Sequence, residues 1–249
     1  METSTCKLNV FFANTKADYL FDQATKDMLA ATINTVIMNS KINVSKALFI
    51  YQASLDEGCK PYMVNAMQEI FGHVTVECIQ SGREGEMIDN AQCLLFGGGN
   101  MTKLTNAMSP FAARIWKKVL SGVPFIGINT GAAVLSSSNL AIPSGTCSNF
   151  SYFPLQFMPG YDPATGLQSV KTMLNNRPLL KYVLCMPGSD EGGIVLEESR
   201  SGLAGGAKDS LGGGSVTRPL YIYERDGSGG VRSVSWSYAQ KENLPINYM

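Results

Sequence analysis

Short apolar segments alternate with longer amphipathic segments from the start of the chain as far as Ile128. The apolar segments predict buried strands, and the segments between them carry apolar residues at helical spacing. Strands that alternate with helices in this way predict a mainly parallel sheet with helices on both faces. The predicted strands are 8–13, 47–51, 73–79, 93–96 and 124–128, and the predicted helices are 18–38, one that opens at Pro61, 84–90 and 110–120.

The pattern is less regular after the fifth predicted strand. Residues 199–215 are rich in glycine and serine, which predicts a loop or the connection of a hairpin. Because no stretch of the chain has the composition of a linker, we predict a single domain spanning residues 1–249. The other predicted elements are strands at 152–158, 182–186 and 191–197, a helix near 169–174, and a C-terminal β-hairpin formed by 220–224 and 231–236 around a glycine-rich turn.

The junction after the fifth strand carries the most specific local motif. Gly127 and Gly131 stand two residues before and two residues after Asn129, between an apolar strand and a helix of small residues. This spacing is typical of a nucleophile elbow, in which the central residue sits in strained backbone and flanking Cβ atoms would clash. Asparagine tolerates a positive φ, but its amide cannot be activated as a nucleophile. The motif therefore predicts an elbow without its nucleophile.

A second glycine-bearing turn, Gly97 to Asn100, follows the fourth predicted strand. The carboxyl ends of parallel strands lie at the same edge of a sheet, and binding sites of such sheets form there. We therefore expect this turn and the turn at Asn129 to converge on one site.

Composition and charge exclude several classes of function. Twenty basic and twenty acidic residues cancel, so no net field favours nucleic acid or an anionic membrane. We expect no membrane association, because no apolar run approaches the length of about 18 residues that spans a bilayer and no signal peptide is recognisable. The six cysteines are scattered without a C-x-x-C pair, which favours reduced thiols, a cytoplasmic location and no metal site. We expect no cofactor.

Five segments resemble, in the same order, motifs of the peptidase E family of aspartyl dipeptidases, and the resemblance extends over most of the chain. It implies the class I glutamine-amidotransferase-like fold, a three-layer α/β/α sandwich with a mainly parallel sheet. The five segments are CLLFGGGNMTKL, PFIGINTGAAV, SSSNLAIP, YFPLQFMPGYDP and CMPGSDEGGIVL.

The resemblance also implies where a Ser-His-Asp triad would lie. The nucleophile position is occupied by Asn129, the histidine position by Gly160 and the aspartate position by Leu140, so no member of the triad is intact. The oxyanion-hole positions depend on backbone N–H groups, and they correspond to those near Gly98 and Gly99 and to that of Thr130.

Several other residues are candidates for a relocated catalytic group. The nucleophile candidates are Thr130, the serines at 136–138 and Cys147, and each would need a base. The only histidine, His73, is predicted to begin a strand at the end of the sheet opposite the site. Asn100 and Asp162 are candidate cleft residues, although Asp162 in a Tyr-Asp-Pro sequence is more typical of a turn. The acidic pair at 190–191 is expected to lie in a solvated loop.

Three hypotheses follow from these residues. We expect a peptidase E-like protein that has lost serine dipeptidase activity and serves in binding or assembly, with a small peptide or a protein as its partner. The alternatives are an active hydrolase with a relocated nucleophile, and a structural subunit that uses the fold as a rigid block. The sequence leaves the formation of a homo-oligomer open.

Overall fold

The computed structural model describes residues 9–15, 21–40, 42–52, 60–135, 155–177, 180–187, 192–198, 205–209 and 221–234. Strands and helices alternate in its first half, as the apolar pattern predicts. These elements are β1 (Asn9–Asn14), α1 (Gln23–Ser40), β2 (Lys46–Ile50), α2 (Lys60–Phe71), β3 (Thr75–Cys78), α3 (Glu84–Asp89), β4 (Leu94–Phe96), α4 (Met101–Met108), α5 (Ala112–Leu120), β5 (Phe125–Ile128) and α6 (Thr130–Ala133). The later elements are β6 (Leu155–Tyr161), α7 (Leu167–Asn176), β7 (Tyr182–Pro187), β8 (Gly192–Glu198), β9 (Gly205–Asp209), β10 (Tyr221–Arg225) and β11 (Val231–Val234).

The larger sheet has seven strands in the order β3-β2-β4-β5-β1-β8-β9. The first five are parallel, and β8 and β9 continue the sheet in antiparallel fashion. This arrangement confirms the predicted α/β class with a mainly parallel sheet.

Apolar cores lie on both faces of this sheet. Successive side chains of a strand point to opposite faces, so the neighbours Phe11 and Phe12 in β1 enter different cores. Helices α1 and α2 cover the face of Phe11 through residues such as Leu29, and helices α3, α4 and α5 cover the face of Phe12 through residues such as Leu104. Both faces are therefore buried, which explains why the strands are continuously apolar rather than alternating.

A second sheet of four strands has the order β11-β10-β7-β6. Its parallel pair β6–β7 packs on the first sheet, where the rings of Phe157 and Phe12 stack with centroids 5.4 Å apart. The predicted C-terminal hairpin is confirmed as β10–β11, with Ile222 opposite Val234.

Three elements depart from the sequence expectations. Helix α4 was not predicted from the sequence. Asn100 caps this helix by accepting a hydrogen bond from Lys103 N at 2.9 Å. The 3-10 turn Ser109–Phe111 separates α4 from α5. The first helix begins at Gln23 because Asp22 Oδ1 accepts from Thr25 N at 2.7 Å. Strand β9 pairs with β8 inside the segment that was predicted as a loop or a hairpin connection.

Candidate functional site

The elbow has the backbone geometry that its glycine spacing predicts. Asn129, between β5 and α6, has φ 49° and ψ −111°, and it is the only non-glycine residue with a positive φ in the described ranges. A Cβ at Gly127 would lie 2.5 Å from Ala132 Cα, and a Cβ at Gly131 would lie 2.1 Å from Phe96 O. The two glycines are required by close packing, and Asn129 has the strained backbone that the elbow motif predicts.

The turn after β4 and the elbow after β5 lie side by side. Strands β4 and β5 are parallel neighbours. The hydroxyl of Thr130, the residue after the elbow tip, donates to Gly99 O at 2.6 Å. The expected convergence of the two turns is therefore present, and it brings Gly99 and Thr130 together at the carboxyl edge of the sheet.

The side chain of Asn129 is hydrogen-bonded to the end of β1. Its Oδ1 accepts from Thr15 N at 2.8 Å, and its Nδ2 donates to Thr15 O at 3.1 Å and to Thr15 Oγ1 at 3.0 Å. We call these three hydrogen bonds between Asn129 and the buried Thr15 the amide clamp. A serine or cysteine has a single donor and could not donate to both Thr15 O and Thr15 Oγ1 while accepting from Thr15 N, so the amide has a structural task at the elbow tip.

The residue before Thr15 connects β1 to the second sheet. Asn14 is buried; its Oδ1 accepts from Gly160 N at 3.0 Å, and its Nδ2 donates to Pro187 O at 3.0 Å. Consecutive residues at the end of β1 thus contact both Asn129 and Gly160, the positions that the resemblance implies for nucleophile and base. The sequence alone does not single out Asn14 and Thr15, although two polar residues directly after an apolar strand are a visible signal.

Gly160 lies in a more open environment than Asn129. Gly160 is exposed with φ 69°, and a Cβ built there would meet no atom within 4 Å. Space is available for a side chain, but the backbone conformation is one that residues other than glycine adopt with strain. Leu140, the third position of the implied triad, lies outside the described residues.

The described residues include few groups that could replace the nucleophile or the base. His73 is exposed and precedes β3, which is three strand spacings from β5, a lateral separation of about 14 Å. Burial raises the pKa of the Cys93 and Cys185 thiols, so neither is a ready thiolate. The hydroxyl of Thr130 is engaged with Gly99 O. The serines at 136–138, Cys147 and the acidic residues at 190–191 fall outside the described ranges.

Asn100 and Asp162, the candidate cleft residues, each organise local backbone. Asn100 caps α4 through Lys103 N. Asp162 accepts from Ala164 N at 2.9 Å and from the Thr165 hydroxyl at 2.7 Å. The hydrogen bond from Thr165, followed by that from Ala164, holds the pKa of the exposed Asp162 carboxyl below its usual range.

A cavity of about 260 Å³ opens beside the elbow, between α4, α6, β6 and α7. Asn129 is not among the described residues that line it, and neither are Asn100 and Asp162. The lining contains no charged side chain within the described ranges. It consists of Gly99, Met101, Thr130, Ala133, Gln156, Phe157, Met158, Pro159, Ser169 and Met173.

Neither a metal-binding cluster nor a membrane-spanning helix occurs among the described residues. In the described part of the chain, no three His, Cys, Asp or Glu residues cluster as ligands for a metal ion. Among the helices that the structure describes, none combines the length and hydropathy needed to cross a bilayer.

The structure is similar to those of two bacterial peptidases. A protein of Listeria monocytogenes EGD-e assigned as a peptidase E superposes with a TM-score of 0.57 at 14% identity, over 82% of this chain and 98% of the other. A peptidase from an acI-B1 Actinobacterium superposes with a TM-score of 0.61 at 14% identity, over 93% of this chain and 96% of the other. The chain has the peptidase E-like α/β fold that its motifs resemble. No protein-family model and no curated protein sequence matches the chain.

Proposed function

We propose that this chain is a peptidase E-like protein that has lost serine dipeptidase activity and acts by binding a ligand in the cleft beside the elbow. The observation that carries the proposal is the amide clamp. The elbow tip, where a hydrolase of this geometry presents its nucleophile, holds an amide whose oxygen and nitrogen are both hydrogen-bonded to Thr15.

Acyl transfer at this elbow would need a nucleophile and a base within hydrogen-bond reach of each other. Asn129 supplies no nucleophile, and Gly160 supplies no base. Loss of the catalytic groups of a serine hydrolase costs on the order of 10⁶ in turnover. The proposal is supported further by His73, the chain's only histidine, which is far from the elbow.

The binding role is supported by the cavity of about 260 Å³ that lies beside the elbow. The partner that we propose is a small peptide or an extended segment of a protein. We also propose a cytoplasmic location, in keeping with the free thiols of the buried Cys93 and Cys185. Alkylation of protein extracted under denaturing conditions should modify all six cysteines of the chain. A disulfide found in that experiment would contradict the assignment.

The test of lost activity is the release of free aspartate from Asp-Xaa dipeptides by purified protein. We expect no steady-state release above the buffer background. The matched control is Thr130→Val, which removes the hydroxyl of the residue directly after the elbow tip. Release by the natural chain that disappears in Thr130→Val would establish the alternative, an active hydrolase with a relocated nucleophile.

A gain-of-function series sharpens the same test. Asn129→Ser alone should remain inactive because it lacks a base, whose contribution is about 10²–10⁴-fold. The triple change Asn129→Ser, Gly160→His and Leu140→Asp is the smallest set that supplies nucleophile, base and orienting carboxylate. The positive φ of Gly160 adds strain to the histidine in that variant. Activity from the single substitution would show that a working base already lies beside the elbow.

A further inference from the structure

We propose that the cavity beside the elbow binds one uncharged, apolar side chain of a peptide, and that Met101, Met158 and Met173 set this preference. The inference rests on the proposed binding function and adds the chemical class of the ligand. The motifs of this chain resemble those of aspartyl dipeptidases, which accept an acidic side chain. The proposed preference for an apolar side chain therefore differs from the activity of that family.

The three methionines reach the cavity from three different elements. Met101 is the first residue of α4, Met158 lies in β6 and Met173 lies in α7. Met101 and Met173 are buried, and Met158 is half-buried. Unbranched, polarisable thioether side chains adapt to the shape of an apolar partner. Phe157 and Ala133 complete the apolar part of the lining.

The absence of charge from the described lining decides against an acidic or basic ligand. Among the described lining residues, a carboxylate that leaves water would find no cationic side chain, because the polar side chains there are those of Thr130, Gln156 and Ser169. Burial of an unpaired charge is strongly unfavourable. An apolar side chain carries no such desolvation cost and gains from leaving water.

The size of the cavity indicates a single side chain. An apolar cavity of about 150 Å³ is large enough for benzene, whereas pockets for drug-sized ligands begin at about 300 Å³. The volume of about 260 Å³ here lies between these values. It suits a leucine, methionine or phenylalanine side chain, with the peptide main chain expected outside the cavity, on the side of the exposed Ser169.

The test uses the natural chain labelled with ¹³C at its methionine methyl groups, titrated with Leu-Ala, Met-Ala, Phe-Ala and Asp-Ala. We expect the three apolar dipeptides to bind at least tenfold more tightly than Asp-Ala. Among the twelve methionines of the chain, the resonances of Met101, Met158 and Met173 should shift, while the exposed Met38 on α1 should not. Equal or tighter binding of Asp-Ala, shifts that spare the three cavity methionines, or no binding of any dipeptide would each overturn the inference.

Variants at the half-buried Met158 provide a second readout. Met158→Lys should weaken Leu-Ala binding at least tenfold and strengthen Asp-Ala binding, because it places a cation in the lining. Met38→Ala is the matched control and should bind as the natural chain does. If Met158→Lys fails to fold, the titration of the natural chain still decides the question.

The same samples separate the two proposals. Free amino acids measured after each titration report hydrolysis, and their release would overturn the proposed loss of activity without touching the side-chain preference. Binding of the dipeptides without apolar preference and without hydrolysis would overturn the preference alone, whereas no binding of any dipeptide would count against the proposed binding function as well.

Discussion

Replacing Asn129 by alanine should destabilise the protein by about 3–4 kcal/mol. The substitution removes the three hydrogen bonds of the amide clamp. A typical hydrogen bond contributes about 1 kcal/mol net, so three give about 3 kcal/mol. Alanine tolerates the φ of 49° less well than asparagine, which adds up to about 1 kcal/mol. An unfolding curve in urea at 25 °C measures the loss.

Asn129→Asp isolates the donor half of the clamp, because aspartate has the same shape. The Oδ1 atom can still accept from Thr15 N, but the second carboxylate oxygen faces Thr15 O, where Nδ2 donates in the natural chain. We expect a loss of about 2–3 kcal/mol at pH 7, from a lost hydrogen bond and an acceptor placed against an acceptor.

The pH dependence of Asn129→Asp has a definite sign. The acceptor–acceptor contact with Thr15 O should raise the folded-state pKa of the new carboxyl above its unfolded value, because the protonated form can donate. The variant should therefore be most stable below the unfolded-state pKa and should lose stability as pH rises through the folded-state pKa. Its deficit relative to the natural chain should shrink when unfolding is measured in acid.

The matched control for this variant is Asn100→Asp. The Asn100 side chain accepts from Lys103 N at the start of α4, and aspartate caps a helix about as well as asparagine. The control should change the unfolding free energy by less than about 0.5 kcal/mol. If Asn129→Asp and Asn129→Ala both stayed within that range at pH 7, the amide clamp would have no energetic role and the structural account of the elbow would be wrong.

Three further outcomes follow from the structure. Gly131→Ala should destabilise the protein by at least about 3 kcal/mol or prevent folding, because the added Cβ would overlap Phe96 O. Gly227→Ala is the control and should be nearly neutral in thermal unfolding, because a Cβ there meets no atom within 4 Å. Hydrogen bonds from the Ser228 hydroxyl and then from Gly230 N hold the pKa of Asp226 below its usual range. The stability that this carboxylate contributes is therefore present above the unfolded-state pKa of about 3.9 and is lost as pH falls through the lower folded-state pKa. Asp226→Asn should remove this part of the acid dependence of unfolding. Thr130→Val should leave aspartyl dipeptide turnover at background, as measured by free aspartate.

The fold and the elbow could be predicted because their signals are local. Apolar runs of strand length and glycines flanking Asn129 at fixed spacing determine backbone geometry within a few residues. Helix α4 was not predicted because it is only eight residues long and directly follows a glycine-rich turn, which the sequence pattern indicates to be part of the site. Its capping residue, Asn100, was visible in the sequence but was considered only as a cleft residue.

The contacts that define the candidate site could not be predicted, because they join distant parts of the chain. The amide clamp connects residues 114 apart, and the hydrogen bond from Gly160 N to Asn14 Oδ1 connects residues 146 apart. These two contacts depend on β1 lying beside β5 and on the second sheet packing against the end of β1. The apolar pattern of each strand does not encode the order of the strands in the sheet. The lining of the cavity by methionines from α4, β6 and α7 depends on the same long-range packing.

The most direct test of the central claim, that the elbow has no activated nucleophile, is reaction with an aryl fluorophosphonate followed by intact-mass measurement. Such a reagent forms a covalent adduct with the activated serine of a hydrolase whatever its substrate, so the test does not depend on the choice of a dipeptide. We expect an unchanged mass for the natural chain after prolonged incubation. A stoichiometric adduct on Thr130 or on one of the serines at 136–138 would contradict it.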